Sequence, residues 1–220
     1  MRQATFVISA GRGGLHPADA AIAAEPDIQR LTIRQIDILD DGTGIVLYTS
    51  RGDLERGKQL LDARDDIYSV DYVGETNGVT LVHFEPNDTV RDLLAVGRSQ
   101  VIALDLPIEC LPDGGVRVTV IGNDAAISEA VDDMPESLAL SLESMGEYDP
   151  DRSDPFASLT ERQQEILLTA LELGYFETPR ETNQEAIAEE LGVSTATVGE
   201  HLRRIQAKLV PSVVPRALWE

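Results

Sequence analysis

Two spacings of apolar residues divide the chain. From Ala4 to Leu142 they fall in short runs and alternations, the period of strands, interrupted by brief helical stretches. From Thr160 onward they recur at three and four residues, the period of amphipathic helices. In order, the first part predicts a strand over Ala4–Ser9 and, after a glycine-rich loop, a helix from His16 to Ala24 with Pro17 in its first turn. A strand over Ile28–Leu39 and one over Ile45–Thr49 flank DDGTG (Asp40 to Gly44), a hairpin turn. A helix over Asp53–Ala63 turns Leu54, Leu60 and Leu61 inward, and a strand over Ile67–Val73 carries Ile67, Val70 and Val73 as apolar positions. The order then repeats: strand Val79–Phe84, helix Thr89–Val96, strand Val101–Cys110, the PDGG turn (Pro112 to Gly115), strand Val116–Ile121, helix Ala125–Val131 and strand Leu138–Leu142. Each set of six is β-α-β-β-α-β, a ferredoxin-like unit. Two copies of about seventy residues make an internally duplicated, sensor-like module, although the halves share negligible sequence.

The second part holds the stretch that organises the chain, NQEAIAEELGVSTATVGEHLRRIQAKL, Asn183 to Leu209. Thr182 and Glu185 have capping-box spacing, so a helix starts near Asn183, with Ile187, Ala188 and Leu191 on one face. Gly192 ends it, Val193 anchors the turn and Ser194 caps the next helix. That helix buries Val198, Leu202, Ile205 and Leu209, spaced four, three and four. At about 100° per residue, Ala196, Gly199, Glu200, Arg203, Arg204 and Ala207 lie on or beside the opposite face. The residues nearest its start, Thr195, Ala196, Thr197 and Gly199, are small, as a helix entering the major groove requires. No carboxylate occupies the first turn, so the positive dipole end is open to a phosphate. Arg203, Arg204 and Lys208 follow; they also complement the dipole at the helix's far end. An upstream helix has its own capping pair, Thr160 and Gln163, and an inner stripe of Ile166, Leu167, Ala170 and Leu171. A helical hairpin packed on another body is the plainer alternative to a helix-turn-helix.

LTERQQEILLTALELGYFETPRE followed by NQEAIAEELGVSTATVGEHLRRIQAKLV resembles the helix-turn-helix domain of bacterio-opsin activator-type transcription regulators of halophilic archaea. The resemblance covers about Leu159 to Val210 and rests on LTxRQ, GYF–PR, AEELG–S and HLRR. The chain before Pro150 resembles, more loosely, the domain that precedes this motif in several members. The resemblance implies a DNA-binding regulator and a sensory or dimerising role for the N-terminal part; it names no ligand.

Charge changes the picture. Acidic residues outnumber basic ones 39 to 18, for a net charge of −21, and lysine occurs only at Lys58 and Lys208. Such a surface suits molar salt, where screening shrinks to about 3 Å. A disordered acidic chain is excluded by the 42% apolar content and the periodic segments. Phe156 to Glu220 carries only −4 of the total, so the DNA-binding part is less acidic than the rest without being basic. Counterion release then supplies little affinity at molar salt, and shape, apolar contact, base hydrogen bonds and bound cations must supply more.

Other chemistry is sparse. GRGG (Gly11 to Gly14) sits between strand and helix as a phosphate loop would, but matches neither phosphate-loop pattern and reads as a turn, with Arg12 facing water. Asp65–Asp66 and Asp132–Asp133 read as solvated charge. His83 is a lone strand histidine. Cys110 has nothing basic adjoining it to activate the thiol, and a single cysteine excludes an internal disulfide. His16, His83 and His201 share no metal-ligand spacing. No nucleophile, base and orienting partner assemble, so no enzyme, cofactor or metal is expected.

These readings give an α+β chain: a duplicated ferredoxin-like (βαββαβ) module over 1–145, a linker over 146–158, and an all-α helix-turn-helix domain over 159–220. The expected function is a sequence-specific transcription regulator adapted to high salt. Its DNA-facing residues are Ser194, Thr195, Ala196, Thr197, Gly199, Glu200, Arg203, Arg204 and Lys208. Arg203 is expected to bond guanine, Glu200 to accept from a cytosine amino group, and Arg204 and Lys208 to touch phosphates. Expected partners are double-stranded DNA, a second copy in a homodimer, and a small-molecule effector at the N-terminal module. The alternative is an adaptor whose helix-turn-helix contacts a protein. With no membrane-length apolar run and no signal-peptide pattern, a cytoplasmic location is expected. Pro211 and Pro215 are expected to stop the last helix, with Val213, Val214, Leu218 and Trp219 folding back on the domain.

Overall fold

The computed structural model describes residues 1–11, 14–148 and 155–213, apart from the side chain of residue 212. Arg12 and Gly13 of the glycine loop, residues 149–154 of the expected linker, and Val214, Pro215, Leu218 and Trp219 lie outside the described residues. The chain forms two compact units, Met1–Tyr148 and Asp149–Glu220.

The first unit runs β1 (Arg2–Ser9), α1 (Pro17–Ala23), β2 (Ile28–Ile38), β3 (Gly44–Gly52), α2 (Leu54–Asp62), β4 (Ile67–Val73), β5 (Asn77–Phe84), α3 (Asp88–Ser99), β6 (Ala103–Cys110), β7 (Val116–Gly122), α4 (Asp124–Asp132) and β8 (Ala139–Glu147). β8 thus passes through Gly146 and Glu147. Side chains at the helix starts satisfy first-turn N–H groups: Asp53 accepts from Arg56 N at 2.8 Å, Asn87 from Val90 N at 2.9 Å and Asn123 from Ala126 N at 2.8 Å. The cap of α1 is His16, whose Nδ1 accepts from Ala18 N while the Asp19 carboxylate accepts from His16 N.

All eight strands join one antiparallel sheet in the order β4-β5-β3-β2-β6-β7-β1-β8. This departs from two independent consecutive copies. β1 pairs with β7 and β8, in the far half of the sheet, and β5 pairs with β3 and β4. The cause is local: three residues separate Val73 from Asn77, and so short a connection forces β5 alongside β4 as a hairpin. β5 then fills the place beside β3 that a first strand would otherwise take. The two halves of the sheet meet at β2 and β6 through only Thr32↔Glu109 and Ile33↔Ile108.

Alternate strand residues, among them Phe6, Ile33, Val46, Val82 and Val118, form one core with Ile22, Leu61, Val90 and Ile127 of the helices. Val73 is exposed, because the β4–β5 register shifts between Ile67 and Ser69; Ile67 and Val70 both point inward, and resumed alternation turns Val73 out. His83 bonds Thr43 Oγ1 at 2.8 Å and packs against Tyr68.

The second unit contains α5 (Glu161–Glu172), α6 (Gln184–Glu190) and α7 (Thr195–Val213). Thr160 and Gln163 form the expected capping box on α5. Ile166 and Ala170 are fully buried, but Leu171 is exposed, one step around the helix from Ala170. The core adds Tyr175, Ile187, Ala188, Val198, Leu202 and Ile205, with Leu167, Leu191, Val193 and Leu209 packed against it. Pro211 does not stop α7, which continues to Val213. A proline in the last turn removes one ladder bond instead of interrupting a long ladder. No helix among the described residues is long and apolar enough to cross a membrane.

Candidate nucleic-acid interface

α6 begins one residue later than its capping-box spacing implies. Its cap is Asn183, not Thr182: Asn183 Oδ1 accepts from Glu185 N at 2.9 Å and Ala186 N at 3.0 Å. Asparagine is among the strongest caps, and it outcompetes the threonine beside it. At the other end Gly192 adopts φ +63°, the left-handed conformation, and Val193 N donates to Ala188 O at 2.9 Å, closing the turn. Ser194 Oγ accepts from Thr197 N at 3.1 Å and lies 2.8 Å from Thr197 Oγ1, so the second helix is capped as its sequence implies.

Three buried residues, Val198, Leu202 and Ile205, press α7 onto Ile187, Ala188, Ile166 and Ala170. That contact fixes which face of α7 turns outward. Ser194, Thr195, Ala196, Arg203, Arg204 and Ala207 are exposed, and Thr197, Gly199 and Glu200 are half-buried. The first turn carries no acidic residue. Gly199 has a role within the unit: a Cβ there would lie 3.1 Å from Gln184 Oε1, and Gln184 Nε2 donates to the Tyr175 hydroxyl at 3.0 Å. Glycine at 199 therefore lets the start of α6 approach α7 closely.

Glu200 holds both arginines. It accepts from Arg203 Nε at 3.2 Å and Nη2 at 3.1 Å, and from Arg204 Nε at 2.7 Å. These bonds, Arg203 first and then Arg204, hold the Glu200 carboxyl down at about 2, and the carboxylate in turn raises Arg203. Lys208 sits differently from its neighbours. Its Nζ donates to Ser158 O at 2.6 Å and Gln163 Oε1 at 3.2 Å, tying the end of α7 to the start of α5.

Three features go beyond the expectations from the pattern of residues. Tyr175 of the GYFETPR segment is core, with Arg180 stacked 4.7 Å over its ring. Asn183 beside Thr182 offered a cap signal that the T-x-x-E spacing overshadowed. In the first unit Arg30, Asp19 and Tyr48 meet inside the protein: Arg30 Nη1 pairs with Asp19 Oδ1, and Tyr48 OH donates to the same oxygen at 3.2 Å. The signal for Arg30 was its two-residue spacing from inward Ile28. Cys110 does have a basic neighbour, since Arg30 acts on it across the sheet. Burial outweighs that charge and pushes the thiol up to about 12, so it stays protonated.

A three-helix unit whose second and third helices meet at a glycine turn, with small residues and arginines outward, is a helix-turn-helix DNA-binding domain. Residues 159–211 match the family described as an HTH DNA binding domain, and residues 16–148 match the HVO_0513 N-terminal family. The chain belongs to the bacterio-opsin activator-type helix-turn-helix transcription regulators of halophilic archaea. It is 31% identical over 150 residues to the dimethyl sulfoxide reductase transcriptional activator of Haloferax volcanii, covering 61% of this chain and 70% of that one. It is 46% identical over 56 residues to the transcriptional regulator NarO of the same organism, 26% of each chain. A putative transcriptional regulator, also from Haloferax volcanii, shares 46% identity over 54 residues, 24% of this chain and 9% of its own. These last two matches span 26% and 9% of those relatives. No solved structure matches the chain.

Proposed function

We propose that this DNA-binding transcription regulator is sequence-specific and reads a major groove with α7. The observation that carries the reading is the Glu200–Arg203–Arg204 cluster on the outward face, behind the exposed and small Thr195 and Ala196. Small residues let the helix start approach base edges, with Ser194 and Thr197 at the cap. Arg203 is the base-reading residue, suited to a guanine edge. Glu200 aims it and stands ready to accept from a cytosine amino group, while Arg204 meets phosphate. Lys208, bonded within the unit, sets the approach of α5 and α7 and adds charge. A homodimer reading two half-sites is the natural assembly, since one three-helix domain offers little specificity.

The N-terminal unit is the regulatory half in this reading, sensing an effector or pairing with a second copy. We take it as a duplicated βαββαβ module whose two first strands have exchanged places. The element order supports this, as do sheet halves β4-β5-β3-β2 and β6-β7-β1-β8, each complete once β1 and β5 are interchanged. The acidic composition supports operation at molar salt.

The test is selection of binding sites from random duplexes by the full chain in molar potassium chloride. Enrichment of one motif, lost in Arg203→Ala, supports the reading. Equal recovery of all sequences, or binding that vanishes steeply as salt rises, contradicts it.

A further inference from the structure

The N-terminal unit holds a partly open cavity of about 270 Å³ between its sheet and its helices. Its walls are overwhelmingly apolar, with Phe6, Ile33, Val46, Val82, Leu93 and Ile127 representing the strands and helices that line it. Protein interiors are close-packed, and voids beyond the size of a water molecule are few. A space of this size gives its lining side chains fewer packing partners than a filled core, and apolar walls hold water poorly. About 150 Å³ of apolar cavity accommodates benzene, so this one suits a molecule of about two fused rings or an aliphatic equivalent.

The polar groups of the wall include one buried cluster. Arg30, Asp19 and Tyr48 all line the cavity. Asp19 is fully engaged by Arg30, the Tyr48 hydroxyl and His16 N. Other charged or ionisable groups on the lining are held elsewhere: His16 by Glu85 O and Ala18 N, Lys58 by Val70 O and Asp62, and Arg98 by Asp37. Arg30 is the one cation among these held almost wholly out of water, 9% exposed against 37% for Lys58 and 56% for Arg98, and it keeps donors in excess. A guanidinium carries five N–H groups; Arg30 bonds Asp19 through Nη1, and the Tyr48 side chain is its other partner, which leaves N–H groups over. Asp19 already balances its charge, so a carboxylate ligand would bring a surplus negative charge into an apolar space. A neutral molecule with a single acceptor would not.

We propose that this cavity is the effector site, and that it binds a neutral, largely apolar molecule carrying one carbonyl-type acceptor, bonded to Arg30. The inference rests on reading the N-terminal unit as the regulatory half, but its test needs no DNA. The probes are 2-acetonaphthone and 2-ethylnaphthalene, which match in shape and differ in the acceptor. Methyl-resolved NMR of the full chain is recorded as each is added. Ile22, Ile33, Val46 and Val82 methyls should shift, while Ile166, Ile187 and Ile205 of the helix-turn-helix unit serve as unmoved controls. The ketone should bind about tenfold tighter, the factor set by a hydrogen bond from a charged donor. Arg30→Met should erase that preference while leaving hydrocarbon binding intact; Arg30→Lys, which keeps a charged donor, should retain part of it and covers the case of a poorly folded methionine variant. Absence of cavity-methyl shifts up to the solubility limit, or equal affinity for the two probes in the wild-type chain, overturns the proposal. Either result leaves motif selection by the helix-turn-helix unit untouched, so the two readings fail separately.

Discussion

Arg30 and Asp19 give the first unit its sharpest energetic prediction. Their side chains are 9% and 11% exposed, so the pair is almost wholly removed from water. Arg30→Met replaces a cation by an apolar side chain of similar length and leaves the Asp19 carboxylate with the Tyr48 hydroxyl and His16 N–H as its remaining partners. Stranding one member of a buried pair costs about 3–5 kcal/mol. With a urea slope of about 2 kcal/mol/M, the unfolding midpoint of the N-terminal transition should fall by roughly 1.5–2.5 M. Asp19→Asn added to Arg30→Met removes the stranded charge and keeps an acceptor for the α1 cap. The double variant should therefore recover at least about 1.5 kcal/mol relative to additive behaviour. The assay is equilibrium urea unfolding of all four chains, followed by circular dichroism and at fixed potassium chloride. Because the pair is buried, the coupling should change little between low and molar salt. Additivity within about 0.5 kcal/mol would refute the reasoning, since it would mean that the two charges do not depend on each other.

The second unit offers further tests. Leu202→Ala opens the centre of the three-helix core and should destabilise that unit by about 2–5 kcal/mol, read as a lowered thermal midpoint. Gly192 stands at φ +63° with open space around it, so Gly192→Ala should lower stability through backbone strain alone, by about 1–2 kcal/mol; an unchanged midpoint would contradict the turn geometry. Glu200 has a folded value of about 2, below the ordinary 4.5, so its contribution stands in full above 4.5 and is lost as pH falls through about 2. Carboxyl-resolved NMR titration should place the Glu200 midpoint below that of an ordinary glutamate, and Arg203→Ala should move it back up. Glu200→Gln should also relax base preference at one position of the selected motif while Arg204→Ala weakens all sequences alike, a contrast that quantitative binding to mismatched duplexes resolves.

Local signals carried most of the element order. Hairpin turns such as Asp40 to Gly44, caps such as Ser194 and Thr160, and the spacing of Val198, Leu202 and Ile205 depend on neighbours in the chain, and the structure places them as read. What depended on distant partners was hidden. Nothing near β1 says that it will pair with β7 and β8; the short Val73–Asn77 connection decides it by placing β5 first. Arg30 looked like one strand arginine among others until Asp19, eleven residues away, and Tyr48 closed on it. On the interface, the outward face of α7 was legible from helical period. The engagement of Lys208 by Ser158 and Gln163 was not, because it joins residues 45 and 50 positions apart.

Genome-wide occupancy of the tagged chain in cells at native salt, wild type beside Arg203→Ala, tests the central claim most directly. Discrete peaks sharing one motif in the wild type, and their loss in the variant, are the predicted result. No enrichment in any growth condition would contradict sequence-specific DNA recognition and turn attention to a protein partner for α7.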